Sequence, residues 1–152
     1  MKIVPEIKFT KVTEQQQDEA KALILEGFKE RFGFIDPTLN PDLSNIYKHF
    51  NLEGNAFFVG FQMGQIICTG AIANETNNTA RIERMSVKKD FRRQGIARAM
   101  LYHLEDYAKD IGYSKAILET NIKWPSAINL YQNNGYDEYT RDEQRVHMVK
   151  YL

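Results

Sequence analysis

The residues best suited to chemistry in this sequence form a short turn from Arg92 to Arg98. There Gly95 and the small Ala97 stand among arginines, and an apolar helical pattern follows at once. The first turn of a helix carries unpaired backbone N–H groups and the positive end of the helix dipole, so it binds anions when no side chain blocks the approach. The small residues leave that approach open, while Arg92, Arg93 and Arg98 add positive charge. The turn therefore predicts a site for a phosphate or pyrophosphate.

The same turn allows interpretations other than an anion site. Taken alone, a glycine among arginines before a helix is equally compatible with an ordinary solvated turn. The sequence has neither the GxxxxGK[ST] pattern of nucleotide-binding P-loops nor the GxGxxG fingerprint of dinucleotide-binding folds. A nucleotide site of either kind is therefore excluded, and other parts of the chain must distinguish an anion site from a solvated turn.

Hydrophobic periodicity places this turn between a strand and a helix. Apolar residues recur at helical spacing from Gln94 to Ile111, and Gly112 ends that helix. The strand TARIERMSVKK precedes the turn, and its alternation predicts one shared face for Arg81, Glu83, Met85 and Val87. Further strands are predicted at 7–13, 56–62, 65–73, 113–120, 136–140 and 144–152, and helices at 20–31, 42–50 and 125–134. The order β-α-α-β-β-β-α-β-α-β-β predicts an α/β fold in which helices flank a mixed sheet.

Length and charge restrict the class of protein. No linker or repeat divides the 152 residues, so we expect a single domain over residues 1–152. The formal net charge is zero, which argues against a nucleic-acid-binding or membrane-surface protein. The N-terminus is too polar for a signal peptide, and no segment approaches the length of a membrane span. These features predict a cytoplasmic protein.

Cysteine and histidine do not suggest a metal site. The lone cysteine, Cys68, lies in an apolar strand, where we expect a buried and inert thiol rather than a nucleophile. His49, His103 and His147 are far apart and belong to no metal-ligand pattern. We therefore expect no metal.

Two motifs resemble those of a known family. The segment MSVKKDFRRQGIARAML resembles the signature region of the GNAT superfamily of N-acetyltransferases, whose pattern Gln/Arg-x-x-Gly-x-Gly/Ala is matched by Arg92, Gly95 and Ala97. The segment AINLYQNNGY, from Ala127 to Tyr136, is similar to the family's C-terminal block, Ala-x-x-Leu-Tyr-x-x-x-Gly-Phe/Tyr. The order of elements is also the family's. The chain is therefore identified as a member by resemblance over nearly its whole length.

The resemblance implies an enzyme that uses acetyl-CoA. Backbone amides from Arg93 to Arg98 would hold the pyrophosphate, and backbone groups of Met85 and Val87 would bind the pantetheine arm along the strand. A backbone N–H of Met85 or Val87 would also stabilise the oxyanion. The residues assigned in this way to the cofactor site are Met85, Ser86, Val87, Arg92, Arg93, Gln94, Gly95, Ile96, Ala97, Arg98, Asn121 and Tyr131.

The resemblance also suggests which side chains carry the transfer. In this family the tyrosine of the Leu-Tyr pair, here Tyr131, often protonates the leaving thiolate; packing beside the cofactor is its alternative role. A carboxylate that accepts the amine proton is also needed, and Glu83 on the signature strand is our candidate. Its alternative role is an ion pair with Arg81 or Arg84. Glu119, on the next strand, competes with Glu83 for the role of base.

The chain departs from the family pattern at one position. Many members carry a pantetheine-binding asparagine seven residues before the tyrosine, where this chain has Trp124. Asn121 could replace it, and Trp124 could instead form a wall of the acceptor pocket. Other candidates for that pocket, for which core packing is the alternative, are Phe32, Phe34, Ile35, Tyr47 and His147.

The expected reaction is direct transfer of an acetyl group to a primary amine of a small metabolite or amino-acid-like acceptor. A catalytically silent acyl-CoA-binding module and a protein or peptide N-acetyltransferase are the alternatives. Tyr131 and the intact turn favour the enzyme over the silent module. Members of the family often form homodimers, and the sequence leaves the oligomeric state open. We expect neither nucleic acid nor membrane as a partner.

Overall fold

The computed structural model describes residues 6–32 and 40–152 of the chain. The predictions for Phe34, Ile35 and the side chain of Phe32 fall outside this described part. Within it, the strands are β1 (Lys8–Lys11), β2 (Ala56–Gln62), β3 (Gln65–Thr76), β4 (Thr79–Val87), β5 (Lys115–Asn121), β6 (Asp137–Arg141) and β7 (Arg145–Tyr151). The helices are α1 (Gln17–Phe32), α2 (Ile46–Phe50), α3 (Ile96–Asp110) and α4 (Pro125–Asn133).

The strands form one mixed sheet, and the predicted element order and α/β fold are confirmed. Among the described residues, neighbouring strands follow the order β1-β2-β3-β4-β5-β7-β6, in which only β4 and β5 pair in parallel. The differences from the prediction lie at element ends. A 3₁₀ turn over Pro41–Asn45 precedes α2, and β3 extends to Thr76 rather than 73. The helix α3 begins at Ile96 rather than Gln94, because Gly95 has the non-helical φ of +78°.

Each face of the sheet carries its own apolar core. On one face α3 packs against β3 and β4 through Met100, Leu101 and Leu104, and Tyr131 of α4 belongs to the same cluster. On the other face α1 packs through Leu23 and Ile24. We refer to these faces as the α3 face and the α1 face. Two-sided burial explains why β2 and β3 read as nearly continuous apolar runs instead of alternating.

Cys68 is fully buried in β3 and forms no disulfide, as predicted. Burial raises the pKa of its thiol to about 12, because a thiolate would lose its hydration there. A thiol with such a pKa stays protonated at neutral pH. The structure therefore supports the inert interpretation over the nucleophile.

A buried polar network joins α3 to the last strands. The hydroxyl of Tyr136 donates to Glu105 at 2.8 Å, and the ammonium of Lys150 donates to the other oxygen of that carboxylate at 2.9 Å. Burial and the adjacent carboxylate both raise the pKa of Tyr136, so its hydroxyl remains a proton donor. The network satisfies an otherwise costly buried carboxylate and ties α3 to the end of α4 and to β7.

Removal of the Tyr136 hydroxyl is expected to lower stability without altering the fold. Tyr136→Phe leaves one oxygen of the buried Glu105 without its donor, which costs about 1–3 kcal/mol of unfolding free energy. Tyr139→Phe is the matched control, because that side chain is 54% exposed and its change should be nearly neutral. Urea denaturation of both variants measures the difference. Equal midpoints for Tyr136→Phe and the wild type would contradict this role of the network.

The strand β4 contains one extra residue relative to its neighbour β3. Glu83 pairs with Ala71 and Ser86 pairs with Thr69, so Arg84 and Met85 together lie opposite Gly70. Arg84 has φ +54°, in the left-handed region that non-glycine residues seldom adopt. This is a β-bulge, a feature that bends a strand and re-aims the side chains beyond it.

The bulge overturns one sequence prediction. Met85 and Val87 pack against the core of the α3 face, together with Ile82. Glu83 instead lies towards Asp42 and His49 of the opposite layer, whose charges act on its carboxyl group. The prediction that Arg81, Glu83, Met85 and Val87 share one face is therefore wrong. Alternation holds up to Glu83, and the extra residue then shifts its phase by one position.

The sheet opens between β4 and β5. Their parallel pairing covers Thr79–Arg81 against Lys115–Ile117 and ends there. Beyond these pairs β4 follows β3 through the bulge, whereas β5 continues to pair with β7 as far as Asn121. A gap therefore widens towards the carboxyl ends of the two parallel strands, next to the start of α3.

Candidate active site

The turn between β4 and α3 has a compact, irregular backbone. A 3₁₀ turn over Lys89–Phe91 follows β4, and then Arg93 and Gly95 both take left-handed conformations, with φ of +63° and +78°. Within the described residues, no side chain caps the start of α3. Its first backbone N–H groups therefore remain available to a ligand.

Gly95 is required here for its conformation, and the space beside it is open. A Cβ built on Gly95 would meet no other described atom within 4 Å, so crowding does not select the glycine. The φ of +78° does, because an L side chain at this angle is strained. The helix start accordingly faces open space, as an anion site requires.

The guanidinium of Arg92 binds groups of α1 and of the end of β4. It donates to Glu30 of α1 at 2.7 Å and to the carbonyl oxygen of Val87 at 3.0 Å. These contacts attach α1 to the end of β4 and compensate the charge that the sequence assigned to the anion site. Arg93 and Arg98 are exposed at the same turn, so they are the better candidates for supplying its positive charge.

Tyr131 lies on the α3 face of the opening. Its side chain is 8% exposed and belongs to the apolar cluster against which Met85 and Val87 pack. Its ring meets Tyr136 edge-on at 5.8 Å between centroids. The structure thus brings the tyrosine of the second motif to the same layer as two of the strand residues assigned to the cofactor.

Glu83 lies on the α1 face, half-buried within β4. Burial raises the pKa of its carboxyl group, and Asp42 adds to this effect, while Arg84, Arg81 and His49 oppose it. No cation of the described residues lies within ion-pair distance of its carboxylate. A half-buried carboxylate with a raised pKa is suited to take up a proton, as the sequence prediction proposed.

The competing carboxylate, Glu119, is occupied by cations. Arg81 lies 3.7 Å and Arg145 3.4 Å from its oxygens, and an imidazole nitrogen of His147 lies at 3.4 Å. The other ring nitrogen of His147 lies 3.3 Å from Asp142. Glu119 therefore serves as the centre of a charge cluster on the outer strands, which makes it a weaker candidate for the base than Glu83.

Asn121 and Trp124 lie in the turn that leads from β5 into α4. The side-chain oxygen of Asn121 accepts a hydrogen bond from the backbone N–H of Lys123 at 2.8 Å. Trp124 directly precedes α4, and its carbonyl accepts from the N–H of Ala127 at 3.1 Å. Asn121 thus stabilises a turn at the end of the opening, and its assignment to the cofactor stays a prediction.

Tyr47, a candidate for the acceptor pocket, lies elsewhere. It lines a hollow of about 780 Å³ beside the β3–β4 turn, near Asn77 and the C-terminal end of α3 at Ile111. That is the opposite end of α3 from Gly95. Polar groups in this hollow form hydrogen bonds with one another; for example, the hydroxyl of Tyr113 donates to the carbonyl oxygen of Gly54 at 2.8 Å. This hollow contains none of the predicted catalytic or cofactor residues.

Several residues near the opening escaped the sequence prediction. Asp42 forms a two-pronged ion pair with Arg84, at 2.9 and 2.7 Å, and Thr69 donates its hydroxyl to the carbonyl oxygen of Arg84 at 2.7 Å. No local sequence pattern predicts contacts between residues that are 42 and 15 positions apart in the chain. The one available signal was the charged Arg84 itself, which stands between Ile82 and Ser86 in the sequence. The alternation along the strand does not indicate which residue pairs with it.

A helix start that is open to anions beside a split in a mixed sheet is suited to an extended, phosphate-bearing cofactor. With a tyrosine on one face of the sheet and a carboxylate on the other, the fold and the site fit the predicted class of acyl-CoA-dependent transferases. Comparison with known proteins specifies this class further. A family model described as "Acetyltransferase (GNAT) family" matches residues 21–136, more than half of the chain, and the chain belongs to this family.

Curated relatives carry N-acetyltransferase names. "Probable N-acetyltransferase 14" of Xenopus tropicalis is 33% identical over 100 residues, which span 64% of this chain and 48% of that protein. "N-acetyltransferase 8" of Homo sapiens is 33% identical over 109 residues, covering 68% and 48%. "N-acetylaspartate synthetase" of Danio rerio is 30% identical over 105 residues, covering 68% and 37%. The chain thus spans about half the length, or less, of the curated relatives it matches.

Solved structures share the fold. A GNAT-family acetyltransferase from Staphylococcus aureus superposes with a TM-score of 0.87 at 24% identity, over 97% of this chain and 99% of that one. The PaiA N-acetyltransferase from Thermoplasma acidophilum, solved in complex with coenzyme A, gives 0.83 at 17% identity with the same coverage. The predicted family is confirmed by the family model, and the solved structures share the predicted fold.

Among residues 6–32 and 40–152, no three metal-ligating side chains converge into a binding group. None of the helices in these ranges has both the length and the apolar character needed to cross a bilayer.

Proposed function

We propose that this protein transfers an acetyl group from acetyl-CoA directly to a primary amine of a small, amino-acid-like acceptor. The observation that carries the proposal is the open helix start at Gly95 beside the gap between β4 and β5, in a chain of the GNAT family. The two features provide a site for the cofactor's pyrophosphate and a strand edge for its extended arm.

In this proposal the cofactor follows the turn and the strand. The N–H groups from Arg93 to Arg98 bind the pyrophosphate, and exposed Arg93 and Arg98 compensate its charge. Backbone groups of Met85 and Val87, beyond the bulge, bind the pantetheine arm, and one of their N–H groups stabilises the negative charge that develops on the acetyl oxygen.

The two proton-transfer groups act from opposite faces of the sheet. Glu83, on the α1 face, takes a proton from the acceptor amine, whose nitrogen then forms a bond to the acetyl carbon as the carbon–sulfur bond breaks. Tyr131, on the α3 face, gives its proton to the departing sulfur. This placement lets the acceptor and the cofactor approach the gap from different sides without displacing each other.

The acceptor class is supported by a relative and by the residues near Glu83. One relative is, by its name, an N-acetylaspartate synthetase, which indicates an amino acid as that protein's acceptor. In this chain, Glu83 offers a negative charge to a protonated amine, and the charges of Arg84 and Arg81, which are ion-pair partners of Asp42 and Glu75, also act on its carboxyl group. An acceptor that carries both an amine and a carboxylate matches this mixture better than a polyamine does.

A panel of acceptors tests the proposal. The chain is incubated with acetyl-CoA and single amines: amino acids, amino-acid conjugates, polyamines and short peptides, and free CoA is measured with a thiol reagent. Turnover with amino-acid-like amines is the expected result. Turnover confined to peptides would assign the protein or peptide alternative instead. Binding of CoA by calorimetry without turnover on any acceptor would assign the silent module.

Replacement of the proposed base gives a kinetic and a thermodynamic signature. Glu83→Gln is expected to lower kcat by about 100-fold and to remove the acidic limb of the kcat/KM profile. The apparent pKa of that limb should lie above the ordinary glutamate pKa of 4.5. Burial and Asp42 raise the pKa of Glu83, and together they outweigh Arg84, Arg81 and His49, which lower it. Glu119→Gln is the matched control, and a larger loss in this control than in Glu83→Gln would exchange the two roles.

The same variant should change how stability depends on pH. A raised pKa means that the folded protein binds the Glu83 proton more tightly than the unfolded chain does. The resulting stabilisation is present below the ordinary pKa and is lost as the pH rises through the raised pKa. Glu83→Gln cannot ionise, so it should lose less stability than the wild type between pH 4 and 7 in urea denaturation.

Three coarser properties belong to the same proposal. We propose that residues 1–152 form one domain, which the continuous sheet from β1 to β6 supports. The predicted homodimer is untested, and light scattering of the purified chain would measure the oligomeric state. A cytoplasmic location stays a prediction of the sequence.

A further inference from the structure

The strained residue of the β4 bulge is held by two long-range contacts. The left-handed conformation of Arg84 is strained and persists only if its surroundings stabilise it. The hydroxyl of Thr69, a fully buried side chain of β3, donates to the carbonyl oxygen of Arg84 at 2.7 Å. This bond fixes the peptide that follows Arg84.

The side chain of Arg84 is held as firmly as its backbone. Its Nε and Nη2 atoms donate to the two oxygens of Asp42 at 2.9 and 2.7 Å, in the parallel geometry that guanidinium and carboxylate favour. The side chains are only 18% and 12% exposed, so solvent screens this ion pair weakly. The backbone of Arg84 is thus bound to β3, within the sheet, and its side chain is bound to the turn before α2, in the neighbouring layer.

The held bulge has a direct geometric consequence for β4. One inserted residue turns Met85 and Val87 to the α3 face and Ser86 towards Gly27 of α1, where its Oγ would lie 3.5 Å from an added Cβ. The same bend lies three residues beyond Arg81, the last residue of β4 that pairs with β5. Opposite the bulge, Gly70 allows α3 to approach β3, since a Cβ there would lie 2.7 Å from Met100 Cγ.

We propose that Thr69 and the Arg84–Asp42 pair are positioning residues, which hold the β4 bulge in the geometry that exposes the strand edge at Met85–Val87 to the pantetheine arm. This inference rests on the proposed function and adds to it three residues that do not themselves touch the reacting atoms. Without the two contacts the left-handed residue relaxes towards ordinary strand geometry, and the phase of the following side chains changes.

The test compares two buried threonines of similar chemistry. Thr69→Val is nearly isosteric and removes only the hydroxyl that holds Arg84. Thr79→Val removes a comparable buried hydroxyl at the other end of β4, where it donates to Asn78 at 3.0 Å. Isothermal calorimetry with CoA, steady-state kinetics with acetyl-CoA and thermal denaturation are measured for both variants and for Thr69→Ser.

We expect Thr69→Val to weaken CoA binding and to raise the KM for acetyl-CoA by about fivefold to tenfold, the equivalent of one buried hydrogen bond. Thr79→Val should lower the melting temperature similarly yet bind CoA like the wild type. Thr69→Ser, which keeps the hydroxyl, should restore the affinity. Asp42→Asn should weaken CoA binding in the same sense as Thr69→Val, because it replaces the charge that Arg84 binds.

Two results overturn the inference alone. One is a wild-type affinity for CoA in Thr69→Val, and the other is an equal loss in Thr79→Val, which would indicate general destabilisation. Failure of the wild-type chain to bind CoA has a different meaning, because it would overturn the proposed function together with this inference.

Discussion

Gly95→Glu is expected to weaken CoA binding by about 100-fold or more. The substitution places a carboxylate at the start of α3, where the proposed pyrophosphate binds to free N–H groups. Loss of two charge-assisted hydrogen bonds, at about 1.5–3 kcal/mol each, accounts for an effect of this size before charge repulsion is added. Calorimetry with CoA measures it, and kcat/KM for acetyl-CoA should fall in parallel.

The same helix contains a matched control for this change. Gly112 follows the C-terminal end of α3, has φ +106°, and like Gly95 has no described atom within 4 Å of an added Cβ. Gly112→Glu therefore imposes the same side chain and a similar left-handed strain, about 1–2 kcal/mol, at the end remote from the site. It should reduce stability but leave CoA affinity unchanged. Equal losses of affinity in both variants would contradict a pyrophosphate site at the helix start.

Tyr131→Phe is expected to lower kcat by about 100-fold while CoA affinity stays within about twofold of the wild type. A general acid typically contributes 100-fold or more to a rate, and only the hydroxyl is removed. The ring stays in the apolar cluster with Met85 and Val87, so the packing beside the cofactor is retained. Steady-state kinetics with saturating acceptor, together with calorimetry, separate the two quantities. Unchanged kcat would assign Tyr131 to packing alone.

The neighbouring tyrosine separates catalysis from stability. Tyr136 packs edge-on against Tyr131 in the same cluster, but its hydroxyl donates to Glu105 and is not assigned to the reaction. Tyr136→Phe should therefore reduce the free energy of unfolding with little change in kcat, the reverse of the pattern expected for Tyr131→Phe. If both variants lost turnover equally, the loss would be attributed to the shared packing of the two rings.

Together these variants distinguish an enzyme from a binding module. Gly95→Glu acts on cofactor affinity, whereas Tyr131→Phe acts on turnover at constant affinity. A silent acyl-CoA-binding module would respond to the first change and have no turnover for the second to reduce. The pair of measurements thus tests the cofactor site and the chemistry independently.

Local sequence was sufficient for the elements that carry the two motifs. The turn at Gly95, the apolar stripe of α3 and the short helix around Tyr131 all appear where periodicity and glycine predict them. Each depends on residues within a few positions of one another, because helix periodicity and left-handed turns are properties of adjacent backbone. The element order followed from the same local patterns, with errors of a few residues at element ends.

Contacts between distant segments could not be predicted in this way. The sequence assigned the charge of Arg92 to the anion site, yet Glu30, which lies 62 residues away, takes it up. It also assigned four residues of β4 to one face, and the bulge at Arg84 divided them. The partner of Arg92 and the division of these four residues could not be predicted, because a pattern within one segment contains no information about the distant residue that neutralises its charge or about the bulge that bends it.

The sequence by itself thus determined the α/β order, the family and the glycine turn for which an anion site is predicted, since these depend on local backbone preferences and on two short motifs. Only the tertiary structure decided that Glu83 and Tyr131 lie on opposite faces of the sheet, on either side of the gap between β4 and β5. The inserted residue at Arg84 is the physical reason why Met85 and Val87, beyond it, share the face of Tyr131 and not that of Glu83. Its strained conformation is stabilised by Thr69 and Asp42, neither of which is near it in sequence.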